Sequence, residues 1–169
     1  MIAIAGRWSQ RASRSSVILA VVIVVLAAAT GWLFFNWQSD QSANDARTGA
    51  VTAAKKDVPA LLSYSYSSFS TDLATAEAAT TAQFRNTYGN LMTGQIESTA
   101  KKNQVVTQAT VSGASVVTAQ PGSATLLLFL SQQTKTKAKQ ESVLNDTAVR
   151  VVMQKVNGTW LVDSMVPRS

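Results

Sequence analysis

Between Val17 and Phe35 the chain runs nineteen residues without a charge, and twelve of them are Val, Ile, Leu or Phe. At ~1.5 Å per helical residue such a run reaches across a hydrocarbon core of ~30 Å. Each large apolar side chain near the centre favours insertion by ~0.3–0.6 kcal/mol, so the run as a whole favours the bilayer by several kcal/mol. Trp32, Phe34, Phe35 and Trp37 cluster at its end, where amphipathic rings settle at the headgroup level. Arg7, Arg11 and Arg14 precede it, while Asp40, Asp45 and Arg47 follow. The positive-inside rule therefore assigns residues 1–16 to a basic cytoplasmic tail, 17–35 to a transmembrane helix and 36–169 to an extracytoplasmic domain. The rival reading is a cleaved secretory signal, with Val17–Leu26 as its apolar region and Ala27-Ala28-Ala29 as the cleavage site. Hydrophobicity continuing through Trp32-Leu33-Phe34-Phe35 favours the retained anchor, and either reading sends the domain outside.

The formal charge of +6 is a topology signal more than a binding signal. Three arginines stand before the apolar run; the remaining 12 basic and 9 acidic residues leave +3 on everything that follows. Nucleic acid is accordingly not an expected partner. Cysteine and histidine are both absent, which removes the commonest zinc ligands, the thiol nucleophile and the usual general base. No glycine-rich phosphate loop and no nucleophile elbow is present, and the nine acids are scattered. No cofactor, no metal and no enzymatic activity is expected. Asp163, between Val162 and Ser164 on the sheet face away from the core, reads as a solvated side chain.

The domain opens with helical periodicity. Ala43, Ala46, Ala50, Ala54, Val58 and Leu61 form a small-residue stripe over a helix from Ala43 to Ser63, with Pro59 expected to kink it or begin a new segment. Tyr64 to Phe69 reads as a turn packed by its aromatics, and Asp72 to Ala79 as a short helix capped by Ser70 or Thr71. Thr80-x-x-Gln83 matches a capping box opening a third helix, with Phe84, Tyr88, Leu91 or Met92, Ile96 and Ala100 facing the core. Gly89 and Gly94 each cost that helix about 1 kcal/mol, and Lys101 and Lys102 complement its C-terminal dipole.

From Gln104 the pattern turns to strands: Val105–Val111 and Ala114–Thr118 with a bulge at Gly113, then Leu126–Leu130 after the Pro121-Gly122 turn. Thr147–Val156 and Thr159–Val166 flank Asn157-Gly158, the strongest hairpin signal in the chain. Pairing Val156 with Thr159 puts Val149, Val151, Met153, Trp160 and Val162 on one face, which is the expected core. Lys135, Lys137 and Lys139 lie in a polar stretch that could meet anionic lipid headgroups or an acidic partner, or serve as a charged edge strand. Helices before an antiparallel sheet make the fold class α+β, with the helices covering one sheet face. Tyr64, Tyr66, Phe69, Phe84, Tyr88 and Trp160 are candidates to line a ligand cavity, or simply to pack the core.

The order Leu61-Leu62-Ser63-Tyr64-Ser65-Tyr66, Phe69-Ser70-Thr71-Asp72-Leu73-Ala74, Gln83-Phe84-Arg85-Asn86-Thr87-Tyr88, Val149-Arg150-Val151 and Asn157-Gly158-Thr159-Trp160-Leu161-Val162 resembles the Mce-associated membrane proteins of actinobacteria. The resemblance covers about Ala46 to Val166. It implies a cone similar to nuclear transport factor 2, a curved antiparallel sheet of about four strands around a helical hairpin. It also implies a non-catalytic role at the cell membrane, stabilising or assembling Mce-type lipid-import transporter subunits. The alternatives are a bitopic structural subunit of a type IV secretion or conjugation apparatus, which shares the anchor-plus-cone plan, and a membrane-anchored lipid-binding module.

Overall fold

The computed structural model describes residues 42–139 and 141–168. The chain divides between Gln41 and Ser42 into two compact units, of which the second contains all of these. The expected transmembrane helix and its flanking anchors (Arg7, Arg11, Arg14, Trp32, Phe34, Phe35 and Trp37) lie outside the described residues. Among the described residues no helix is long and apolar enough to cross a membrane.

The described chain opens in helix α1, residues 42–62. Ala46, Ala50, Ala54, Val58 and Leu61 are buried, as a stripe of period 3.6 requires, and Ala43 is half-buried. Pro59 does not interrupt α1. The carbonyl that loses its donor belongs to Lys55, on the exposed side, while fully buried Val58 and Leu61 hold the turn around it.

Strand β1 (Tyr64–Ser65) was legible only as a turn, because two residues carry no periodicity. Helix α2 (Phe69–Ala78) begins three residues earlier than the sequence suggests. The carboxylate of Asp72 sets that start: it accepts from the Ser65 N–H at 2.9 Å and from the Ser68 hydroxyl at 2.8 Å. Helix α3 (Ala82–Leu91) is capped by Thr81 rather than Thr80, the Thr81 hydroxyl accepting from the Phe84 N–H. It runs through a π-helical turn (Met92–Ile96) into α4 (Glu97–Asn103). The inward residues Phe84, Tyr88, Met92, Ile96 and Ala100 recur every four positions, which on an ideal α-helix drifts by about 40° a step. The wider π turn takes up that drift, so one face stays inward over four steps. Gln104, in the left-handed conformation with φ 51°, ends the helix, and the Val105 N–H returns to the Ala100 carbonyl at 2.9 Å.

Four long strands follow: β2 (Val106–Gln120), β3 (Ser123–Lys135), β4 (Val143–Val156) and β5 (Thr159–Arg168). With β1 they form a five-stranded antiparallel sheet in the order β1-β2-β3-β4-β5, one strand more than expected. The β4–β5 turn uses Asn157 at φ 49° and Gly158 at φ 84°, the two positive values a type I′ turn demands. Its register pairs Val156 with Thr159, and Val149, Val151, Met153, Trp160 and Val162 all face the core. In β3, Ala124, Leu126, Leu128 and Leu130 point inward, so the apolar run Leu126–Leu130 is an alternating strand whose Phe129 is 47% exposed.

Three bulges interrupt the ladders. Ser112 rather than Gly113 is the unpaired residue of the first, and Gly113 instead faces Phe129, whose Cδ2 would stand 3.2 Å from a Cβ there. Val117 is the unpaired residue of the second. Asp163 is that of the third, in β5, and it is half-buried rather than solvated. Its Oδ1 accepts from the Thr81 hydroxyl at 2.8 Å, while Val162 exchanges backbone bonds with Ala79 and Thr81 at 2.9 Å each. The α2–α3 connection thus covers the β5 edge at this point.

Lys135 ends an interior strand, paired with Val106, and Lys137 and Lys139 sit in the turn beyond it. The charged-edge reading of this stretch therefore fails, since β3 has a neighbour on both sides.

Candidate functional site

A cavity of about 360 Å³ lies between the helices and the core face of the sheet, walled by Leu61, Leu62, Tyr64, Phe84, Thr87, Tyr88, Leu91, Met92, Ile96, Gln132 and Met165. Its position follows from how α1 ends. The last four carbonyls of a helix have no partner within it and need outside donors. Here the Tyr88 hydroxyl donates to the Leu61 carbonyl at 2.7 Å and the Gln132 amide donates to the Leu62 carbonyl at 3.3 Å. One donor comes from α3 and the other from β3, so the terminus of α1 ties the helical layer to the sheet here. The hollow between them is the cavity.

These contacts engage two of the wall's polar side chains, and the Tyr64 and Thr87 hydroxyls are the other two. Burial first, then the nearby Glu77 carboxylate and Tyr64, push the Tyr88 hydroxyl far above the ordinary tyrosine range. It remains a neutral donor, fixed on Leu61. Tyr64 is braced edge-on against Phe69 at 5.6 Å between ring centroids, and Phe84 lies 6.1 Å from Tyr88. Met92 and Ile96 reach the wall from the π turn, while Leu91 and Thr87 stand exposed at the rim. The remaining surface is apolar and adaptable, and thioether side chains from two elements contribute to it.

Of the six aromatic residues singled out from the sequence, the structure brings Tyr64, Phe84 and Tyr88 together on this wall. Tyr66 is exposed in the turn after β1, and Phe69 is buried behind Tyr64. Trp160 lies at another place, packed on α1 beside Lys56, Asp57 and Ala60. A Cβ on Gly49 would come within 2.6 Å of its Nε1, so only glycine allows the indole this close. The Lys155 ammonium stands 5.9 Å from the ring. Burial raises the carboxyl of nearby Asp57 above its ordinary value, and Lys56 partly opposes the shift.

Sequence reasoning read Leu61, Leu91, Met92 and Ile96 only as core-facing residues of their helices, and it missed Leu62, Thr87, Gln132 and Met165 altogether. Leu62 and Thr87 fall off the helical stripes, and Gln132 and Met165 are placed by strand register, which no local pattern reveals. Among the described residues no group of three or more acidic, histidine or cysteine side chains could hold a metal ion.

The comparisons with known proteins agree with this architecture. The uncharacterized protein Rv1362c of Mycobacterium tuberculosis is 33% identical over 153 residues, covering 89% of this chain and 70% of its own length. The outer membrane protein Rv1973 of the same organism is 32% identical over 146 residues, covering 85% of this chain and 91% of its own. No family model matches the chain. Among solved structures, an IcmL-like type IV secretion system protein from Legionella pneumophila superposes with a TM-score of 0.61 at 16% identity, covering 71% of this chain and 91% of that one. CagV, a VirB8 homolog from Helicobacter pylori, gives 0.57 at 14% identity over 70% and 95%. The Agrobacterium tumefaciens VirB8 protein gives 0.57 at 13% identity over 72% and 92%. At these identities the likeness is one of fold: helices packed on a curved antiparallel sheet of the nuclear transport factor 2 kind.

Proposed function

The chain belongs to the family of the mycobacterial proteins Rv1362c and Rv1973, and on that premise we propose that it is a non-catalytic, bitopic structural subunit of a cell-envelope membrane complex. The observation that carries the reading is the joining of two features. The sequence has one charge-free run of membrane-spanning length before residue 36, and the domain after it has the fold of type IV secretion components. An anchor confines such a domain to two dimensions, which raises its effective concentration beside a membrane partner. The outer membrane description of Rv1973 supports an envelope location.

The order of preference drawn from the sequence, with Mce-type transporters first, is reversed by these fold neighbours: a secretion-type assembly is the better supported setting. A second reading keeps its own observation. The run of short motifs from Leu61 to Val162 resembles Mce-associated proteins, and both sequence relatives are mycobacterial. On that reading the same scaffold serves a lipid-import transporter.

Affinity purification of a C-terminally tagged full chain in mild detergent separates the two. Secretion-channel subunits are expected on the first reading and transporter subunits or their permease on the second. Recovery of the chain alone, after cross-linking in cells, would refute both.

A further inference from the structure

The proposed assembly role makes no use of the cavity described above, and the cavity's lining names an occupant. We infer that it is a binding site for a single acyl chain, inserted tail-first, with the polar head left outside the rim. Five observations carry this. The wall is mostly apolar, with Leu61, Phe84, Met92, Ile96 and Met165 beside Tyr64 and Tyr88, and its volume of about 360 Å³ stands at the small end of the ~300–1,000 Å³ typical of ligand pockets. Two of the donors on the wall, the Tyr88 hydroxyl and the Gln132 amide, are committed to the Leu61 and Leu62 carbonyls, which leaves the Tyr64 and Thr87 hydroxyls as its other side-chain donors. The interior therefore offers shape and dispersion contacts but little hydrogen-bonding specificity, which suits a flexible methylene chain. Methionines on two sides and a π-helical turn along one wall, a feature frequent at functional sites, give the cavity a surface that can adapt to such a chain. Leu91, 46% exposed at the rim, extends the apolar surface outward to solvent. The charge-free run Val17–Phe35 would keep the domain beside a bilayer, where acyl chains are the most abundant apolar ligand. The site stands independently of which complex the chain joins.

The test uses the full chain reconstituted in phosphatidylcholine vesicles with a trace of palmitic acid carrying a photoactivatable diazirine on its tail. After illumination, adducts are mapped by mass spectrometry. Peptides carrying Phe84, Met92 and Ile96 are expected to be labelled several-fold more than those carrying Leu127 and Phe129, which present apolar surface on the opposite sheet face. Unlabelled palmitic acid should compete. Leu91→Trp and Thr87→Phe, both at the exposed rim and so compatible with folding, should each lower wall labelling to the outer-face level, with an unchanged melting temperature verifying the fold. Wall labelling no higher than that of the outer face would overturn the inference. So would labelling that survives both rim substitutions in folded protein, because the chain would then not enter through this mouth.

Discussion

Replacing Gly49 with alanine tests the seam between α1 and β5 by the sign of its effect. In an ordinary helix interior the change stabilises by about 1 kcal/mol, because alanine restricts the unfolded chain and favours helix. At this position the new Cβ would lie 2.6 Å from Trp160 Nε1, against 3.4 Å for ordinary contact, so the buried indole has to retreat by 0.8 Å (3.4 − 2.6). Overpacking of that kind costs about 1–3 kcal/mol. The net expectation is a loss of about 1 kcal/mol in the wild-type chain, taking the middle of that range less the propensity gain. In a Trp160→Leu background the obstructing atom is gone, and the same substitution should now stabilise by about 1 kcal/mol. The two measurements differ in sign, and the coupling between them is about 2 kcal/mol. Urea unfolding of the full chain in a mild detergent, followed by far-ultraviolet circular dichroism with slopes compared across the four variants, reads it directly. Equal effects in both backgrounds, to within about 0.5 kcal/mol, would refute the placement of the indole on Gly49 and with it the seating of α1 on the sheet.

Two further substitutions test the polar contacts. Tyr88→Phe leaves the Leu61 carbonyl without its donor in a buried setting and should cost about 1–3 kcal/mol in the same unfolding assay, whereas Tyr66→Phe, exposed in the turn, should change little. Asp57→Asn should stabilise at pH 7 and not at low pH. Burial raises the native carboxyl above 3.8, so the native state binds the proton more tightly than the unfolded chain. The cost of ionising it is absent below the unfolded value, develops as pH rises through the native value, and is removed by the amide. A stability gain that is the same at pH 3 and pH 7 would show that the carboxylate is not the cause.

What was legible in the sequence was what local pattern can carry. The stripe from Ala46 to Leu61 and the Asn157-Gly158 hairpin with its inward Val149, Val151, Met153, Trp160 and Val162 are written as periodicity and turn chemistry, and both stand in the structure. The errors came where tertiary contacts outweigh local preference. No new segment begins at Pro59 because Val58 and Leu61 are packed, and the cap of α3 moves to Thr81, whose hydroxyl donates a hydrogen bond to Asp163, 82 residues away. Asp163 looked solvated because strict alternation sends it outward, and a bulge breaks that alternation. Half of the aromatic candidates reach the cavity, and Gln132 was invisible because its role is to cap a helix 70 residues before it.

If the chain holds a membrane complex together, as proposed, that complex should lose abundance without it. Quantitative proteomics on membranes of the native host, with the gene deleted and then restored, measures the subunits recovered with the tagged chain. Orphaned subunits lose the free energy of association and are cleared from the membrane. The account predicts that they fall together on deletion, while their transcripts hold steady, and return with the wild-type chain. Unchanged abundance of every copurifying subunit in the deletion strain would contradict a structural role.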